Sequence, residues 1–246
     1  MLPETMPVCP VRGSVIYPTM VMPIDAGRPI SIRAIDEALA RDRVLLIVSQ
    51  RDKEVETPRP SDLFEVGTAC NILKMRKNPD GSVQVLVQAF ARVRVREWLD
   101  LGDHLEARGE VLADEPGEPI LVKALVREVK DKFQALLKEG KYLAPEVAQF
   151  ILNLEDPSQL ADYVAFHMDF RLEDKQKVLE TANVAERLRA VLVLLEAELA
   201  LIETQRRIQQ QVKEEIDRNQ REYFLREQMK AIQRELHGEE GEQEVE

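Results

Sequence analysis

Hydrophobic and polar positions follow a helical period from residue 183 to residue 237, a stretch without proline or glycine. Asn183 can cap the first turn, with Glu186 three residues later as in a capping box. Apolar residues then step by four and three along one seam, at Leu188, Leu192, Leu195, Leu199 and Ile202. Beyond this seam the same face becomes polar. The pattern predicts one helix about 75 Å long, which begins in a packed bundle and leaves it after residue 202.

A second group of apolar residues follows the polar stretch of the predicted helix. An isolated helix would expose these side chains, so we expect them to serve in self-association or in docking on a following domain. The group consists of Tyr223, Phe224, Leu225, Met229, Ile232 and Leu236.

The first half of the chain has the patterns of β-strands. Residues 82–98 alternate between small apolar side chains and a second face that carries glutamines, Leu86, Phe90 and arginines. Asn78-Pro79-Asp80-Gly81 joins this strand to residues 65–77 as a hairpin turn. Shorter strands are predicted at 8–11, 15–17, 43–48 and 104–112, with an amphipathic helix from Ser31. Residues 1–115 are therefore predicted to form a small β-barrel or half-barrel.

The strand pattern stops at a segment rich in proline and acidic residues, 114–119. Helices are predicted at 120–139, 145–154, 157–168 and 172–181. We expect residues 119–202 to form a helical bundle that includes the start of the long helix. Residues 203–238 would be its protruding end, and 239–246 an acidic tail. The predicted fold class is α+β, a small barrel followed by an all-α bundle and a very long helix.

Prolines flank an apolar segment between Tyr17 and Pro23, which holds two methionines. Flexible apolar side chains suit a surface that accepts varied partners. The segment either contacts hydrophobic parts of client proteins or lies against the core of its own domain. In the first case, changing both methionines to serine weakens binding of an unfolded protein. The candidate client-binding residues are Tyr17, Pro18, Met20, Val21 and Met22, with Ile35 of the neighbouring helix.

The charge balance argues against two classes of partner. The formal net charge is -11 and the isoelectric point is about 5.0, which disfavours nucleic acid and anionic membranes. Arg92, Arg94 and Arg96 share one face of a strand, where they either track a phosphate backbone or, as we favour, discourage edge-to-edge aggregation. The sequence contains no signal peptide pattern and no apolar run that would span a membrane. We expect a cytoplasmic location.

Catalytic and cofactor motifs are missing from the sequence. Gly140-Lys141 is followed by Tyr142, where a phosphate-binding loop needs serine or threonine, so we interpret it as a helix end. The histidines lie far apart, and His104 stands among carboxylates without a second nitrogen or sulfur ligand. No serine lies in a nucleophile elbow. We predict no catalytic residue, no metal site and no cofactor here.

Three segments resemble the bacterial ATP-dependent protease Lon family in its N-terminal region. The first is PVCPVRGSVIYPTMVMP at 7–23, and the second is DLFEVGTA at 62–69 with Pro79-Asp80-Gly81. The third and most specific is QREYFLREQMKAIQREL at 220–236. The resemblance covers nearly the whole chain. Cys9 and Thr19 depart from it, since the family commonly has leucine and glycine there.

The resemblance implies a PUA-like β domain, a helical bundle and a long helix leading into an AAA+ ATPase, with its ATP and magnesium, and a Ser–Lys peptidase. It implies a homohexamer whose N-terminal region catches unfolded or damaged proteins for degradation. Neither catalytic module has its motifs in this sequence, so we expect this region to be non-catalytic. The alternative is a purely structural oligomerisation and spacer element, with clients bound elsewhere.

Overall fold

A computed structural model describes residues 2–139 and 143–240, with side chains up to residue 233. The predicted helix end at Gly140, the acidic tail at 241–246 and the side chain of Leu236 therefore lie outside the described residues. The elements, in chain order, are β1 (Met6–Val11), β2 (Val21–Ala26), α1 (Pro29–Ala40), β3 (Val44–Ser49), a short 3₁₀ turn (Pro60–Asp62), β4 (Val66–Lys77), β5 (Val83–Asp100), β6 (Leu105–Val111), α2 (Pro119–Lys138), α3 (Pro145–Asn153), α4 (Pro157–His167), α5 (Leu172–Glu180) and α6 (Val184–Glu240).

The strands form one six-stranded sheet in the order β2-β5-β4-β3-β1-β6. β5 also pairs with β6, so five strands close into a barrel and β2 extends it along the first half of β5. β1 and β3 are parallel, and the other pairs are antiparallel. The predicted barrel is confirmed. Closure removes most exposed strand edges, but β2 keeps one.

The predicted hairpin between β4 and β5 is confirmed. Gly81 has a φ of +83°, which glycine adopts without a steric penalty, and its N–H donates to the carbonyl of Asn78. The Asp80 carboxylate accepts from the backbone N–H of Ser82 and fixes the turn. The turn sets the register in which Val83, Val85, Val87 and Ala89 face the core.

Two apolar clusters fill the β domain. One lies between the inner faces of β4 and β5 and the buried face of α1, which includes Ala34, Ile35 and Ala38. The other lies around Met6, Val8 and Leu46 and is extended by Leu172 of α5. All six residues of β3 are buried, because its two faces contribute to different clusters.

All predicted helices are confirmed, with ends shifted by one or two residues in most cases. Asn183 caps α6, since its side-chain oxygen accepts from the N–H groups of Ala185 and Glu186 at 3.1 Å. Asp156 caps α4 in the same way. In the predicted seam, Leu188 and Leu195 are fully buried. The confirmed helices, together with the closed barrel, establish the predicted α+β fold.

The chain divides into two compact units, Met1–Glu196 and Ala197–Glu246. Within the first, a parallel bridge joins Glu115 to Asn183, so the segment after the barrel packs beside the start of α6. Gly117 allows the two segments to pack closely, because a Cβ added at this position would lie 2.7 Å from the Cβ of Ala185. In the second unit, described side chains from Glu203 to Gln233 are exposed.

Two predictions about the first part of the chain are wrong. Residues 15–17 are buried but form no strand, and the segment predicted as a loop up to Pro23 instead enters β2 at Val21. Thr19 causes the change of direction. Its φ is +69°, a left-handed conformation, and its N–H donates to the carbonyl of Ala89 on β5.

Candidate functional site

Three of the seven residues from Tyr17 to Pro23 are buried, so the prediction of an exposed apolar loop is wrong for these three. Tyr17 is completely buried, Pro18 is buried, and Met20 is 4% exposed. The Tyr17 hydroxyl donates to the carbonyl of Lys175 in α5 at 2.8 Å, and burial raises its pKa well above the ordinary value. The Tyr17 side chain thus connects the segment before β2 to α5. Serine at Met20 would therefore damage the fold rather than a free surface.

The prediction that Ile35 contacts clients is also wrong. It is fully buried on the inner face of α1, in the cluster that contains Val85 and Val87. Its role is packing. Of the six predicted residues, only Val21 is exposed, at 54%, while Met22 is half-buried. Client binding by these two residues stays a prediction.

Val21 belongs to an apolar surface on the outside of the barrel. It lies opposite Gln88 of β5, and Pro23 lies opposite Leu86. Residues directly opposite in an antiparallel pair share a face, and the alternate residues of β5 are buried inside. We call Val21, Pro23, Leu86 and Phe90 the outer strip. It runs about 13 Å along β5, from Leu86 to Phe90.

A cleft of about 300 Å³ adjoins the outer strip. Phe90 belongs to both, and Pro18, Val111 and Gln159 line the cleft between the barrel and the start of α4. Val111 is 51% exposed. The strip thus leads into a concavity, the usual form of a binding site.

Arg92 and Asp162 line the cleft and form part of a buried ionic cluster. Nη2 of Arg92 donates to both carboxylate oxygens of Asp162, and its Nε donates to the carbonyl of Leu179. Arg187, fully buried at the start of α6, donates to Asp114 at 2.6 Å and to the Ser158 hydroxyl at 2.6 Å. The cluster joins β5, the segment after β6, α4 and α6.

The two carboxylates of this cluster have opposite pKa shifts. Burial raises the pKa of Asp162 to about 6, although Arg92 and Arg187 oppose the change. Burial also raises the pKa of Asp114, but hydrogen bonds from Arg187 and Ser158 and the nearby guanidinium groups outweigh it, and the net shift is downward. The cluster is structural in its geometry, since every charge in it has a partner.

The three arginines of β5 do not form the charged strand face that the sequence suggested. Arg92 is 4% exposed and lies within the ionic cluster. Arg94 is half-buried, and Arg96 is exposed and paired with Glu110. The prediction of a protective charged edge is wrong for Arg92. It fails because α4 and α5 cover that part of the barrel.

His104 and the two cysteines are held within the fold. His104 lies between the carboxylates of Asp103 and Glu106, at 2.6 and 3.3 Å. Burial raises the pKa of the Cys9 thiol to about 11 and that of Cys70 further. Over residues 2–139 and 143–240, no group of three or more metal-ligating side chains is placed to hold an ion. No described helix is long and apolar enough to cross a membrane. The absence of a cofactor stays a prediction.

The apolar residues predicted for self-association are exposed in the second unit. Tyr223 is 69% exposed and Phe224 62%. Leu225, Met229 and Ile232 have exposed fractions between 53% and 62%. Three further apolar residues, nearer the first unit in sequence, are also exposed: Ile208, Val212 and Ile216. The surface is available, and its partner stays a prediction.

Comparison with known proteins identifies the family. Residues 5–197 match the family model for the ATP-dependent protease La (LON) substrate-binding domain, so the chain belongs to this family. It is 41% identical over 230 residues to Lon protease of Escherichia coli strain K12, covering 94% of this chain and 29% of the relative. Lon protease of Brevibacillus choshinensis is 37% identical over 238 residues, 97% of this chain and 31% of the relative. The chain spans less than a third of the length of these relatives.

Solved structures agree with the fold. The N-terminal domain of Mycobacterium avium complex Lon protease has a TM-score of 0.65 and 26% identity, covering 78% of this chain and 98% of that one. A Lon N-terminal domain protein from Xanthomonas campestris, 12% identical with a TM-score of 0.52, shows the same fold over 77% of this chain and 97% of that one. The predicted resemblance is confirmed.

Proposed function

We propose that this chain recognises unfolded or damaged proteins for a Lon protease, through the outer strip and its adjoining cleft, and supports assembly of a hexamer in the cytoplasm. Clients would pass to an ATPase and peptidase ring, so that the whole protein acts as an ATP-dependent serine endopeptidase. ATP and magnesium would serve that ring. The membership in a substrate-binding family and the exposed apolar strip support this proposal.

The outer strip carries the proposal because its apolar residues face solvent on a rigid sheet. Val21 is 54% and Phe90 38% exposed, although apolar side chains of strands are ordinarily directed to a core. Unfolded chains expose apolar segments that native proteins bury, so a surface of this kind distinguishes the two states. A flat strip with a cleft at one end imposes little sequence selectivity.

Binding of one protein in reduced, alkylated and in native form tests the proposal by fluorescence anisotropy. Serine at both Leu86 and Phe90 should weaken binding of the unfolded form about tenfold, since the two side chains together contribute roughly 1.4 kcal/mol of apolar contact. Serine at both Gln84 and Gln88, which share the face, is the matched control and should leave binding unchanged. Equal affinity of the strip variant and the unaltered chain would contradict the outer strip as the site.

The second candidate is a purely structural role, which the exposed apolar residues of the second unit favour. That role predicts no difference between native and unfolded proteins in the binding assay. It also predicts concentration-dependent association of the chain through Tyr223, Phe224, Leu225, Met229 and Ile232. The two functions can be tested separately, because the outer strip lies in the first unit and the exposed apolar residues of α6 lie in the second.

A further inference from the structure

We propose that an extended segment of a client pairs, strand to strand, with the free edge of β2, in the groove between β2 and β1. This inference rests on the proposed function and specifies how clients are held. The outer strip supplies contacts for side chains, whereas the β2 edge supplies hydrogen bonds for the client main chain.

Among the strands that the structure describes, β2 pairs with β5 alone, so one edge of β2 is unpaired. The N–H of Ala89 donates to the carbonyl of Met20 at 2.8 Å, which fixes the alternation of hydrogen bonds. Met22, Ile24 and Ala26 then bond toward β5. Val21, Pro23 and Asp25 direct their backbone groups to the free edge.

A groove of about 450 Å³ lies along this edge. Its lining includes every residue of β2 from Met22 to Ala26 and every residue from Cys9 to Arg12. Successive side chains of a strand point to opposite faces, so a groove lined by consecutive residues runs along the strand edges rather than beneath one face. Its volume falls within the range of clefts that bind peptides and small ligands.

The far side of the groove is formed by the end of β1, where β1 has no β6 partner. β1 pairs with β6 only at Met6–Val8, so Pro10 and Val11 face the groove without a β6 partner. Arg28 spans part of this side, and its Nη2 donates to the carbonyl of Pro10 at 2.6 Å. The edge available to the main chain of a client is therefore that of β2.

The free edge selects an unfolded chain rather than a second copy of this protein. Pro23 has no N–H, and proline on an edge discourages pairing with another sheet. The N–H groups of Val21 and Asp25 and three carbonyls remain for one added strand. Such pairing requires no particular side chain, so it suits clients of many sequences. Native proteins have most of their backbone groups already paired, so they offer few extended segments to this edge.

Two peptides of equal composition test the inference on the full chain. Both are short labelled strands of alternating valine and threonine with two N-methylated residues. In one peptide the two N-methylated residues are adjacent and central, so each edge of the peptide strand loses a central N–H group. In the other peptide the N-methylated residues are at the two ends. The end-methylated peptide should bind at least about tenfold more tightly, since several backbone hydrogen bonds are lost in the other. Equal affinities would overturn β2 pairing, because contacts through side chains alone do not require central N–H groups.

A pair of variants locates the site on β2. Asp25→Pro removes an edge N–H that does not bond to β5, so binding of the end-methylated peptide should fall several-fold, while Asp25→Ala keeps the N–H and the affinity. Amide exchange at Val21 and Asp25 in the unaltered chain should slow when peptide is bound, and unchanged exchange would overturn the inference. If unfolded protein binds but the two peptides bind with equal affinity, the proposed function stands and pairing with β2 is wrong. If unfolded protein does not bind, the proposed function and pairing with β2 are both contradicted.

Discussion

Nη2 of Arg92 lies 2.5 and 2.7 Å from the two carboxylate oxygens of Asp162, and both side chains are almost completely buried. This pair joins β5 of the barrel to α4, across 70 residues of sequence. Removal of water makes each ion dependent on its partner, since an unpaired buried charge is costly. The relative position of the barrel and helices therefore depends on a polar contact as well as on apolar packing.

Substitution of either partner should strongly destabilise the first unit. Arg92→Met leaves Asp162 with only Arg187 nearby, at 3.9 Å, and Asp162→Leu leaves Arg92 with Asp114 at 3.3 Å. We expect each to lower the free energy of unfolding by about 3 kcal/mol, measured by urea denaturation. The double variant should lose less than the sum, because neither charge is then left alone. Additive losses would show that the two side chains act independently.

Asp162 should titrate near pH 6, as followed by the carbon chemical shift of its carboxyl group. Its folded pKa is raised to about 6 from an ordinary 3.8, so the folded protein takes up this proton more readily than the unfolded chain. Its favourable contribution is complete below pH 3.8 and declines as pH rises through about 6.

Asp162→Asn supplies the control for this titration, because asparagine does not ionise. The stability of the unaltered chain relative to this variant should fall between pH 4 and pH 6, by at most about 3 kcal/mol. Asp114 has its pKa lowered and should titrate below pH 3.8, so its effect lies outside that interval. A stability difference that stays constant from pH 4 to pH 7 would contradict the raised pKa.

The sequence predicted the elements well because their signals are local. Asn183, Asp156 and the Asn78–Gly81 turn act on residues within four positions, and the structure confirms all three. Leu86 and Phe90 were placed on the outward face of β5 by alternation alone, and they form half of the outer strip. No local pattern indicated whether these apolar residues have a partner.

Burial between elements was harder to predict. Tyr17 and Met20 have the composition of an exposed loop or of a core segment, and their burial depends on α5 and β5, which are distant in sequence. Arg92 follows the same alternation as Arg96, but α4 covers only the first. A lone buried aspartate in an apolar helix, Asp162, was the available signal for the ionic cluster.

Thr19→Gly should stabilise the protein by about 1 kcal/mol. Thr19 is exposed and has a φ of +69°, which is costly for a β-branched residue and free for glycine. Its N–H bond to Ala89 is kept by glycine. Thermal unfolding should show a rise in Tm of a few degrees.

Thr57→Gly is the matched control for that prediction, since Thr57 lies in an exposed loop without a positive φ. Glycine there increases the freedom of the unfolded chain and should lower Tm slightly or leave it unchanged. Equal effects at both positions would show that backbone strain at Thr19 is not the cause.

Leu225→Ser combined with Met229→Ser should reduce self-association of the chain. The two side chains are 53% and 62% exposed and lie four residues apart on one face of the helix, where burial between helices would remove apolar area from water. Sedimentation velocity over a range of concentrations should show a larger species for the unaltered chain and a smaller one for the variant. Gln220→Ser combined with Gln228→Ser, in the same segment, is the control and should retain the larger species. An interface between copies of the chain loses stability when its apolar side chains are removed. Identical sedimentation of all three chains would therefore mean that these residues dock on another domain instead.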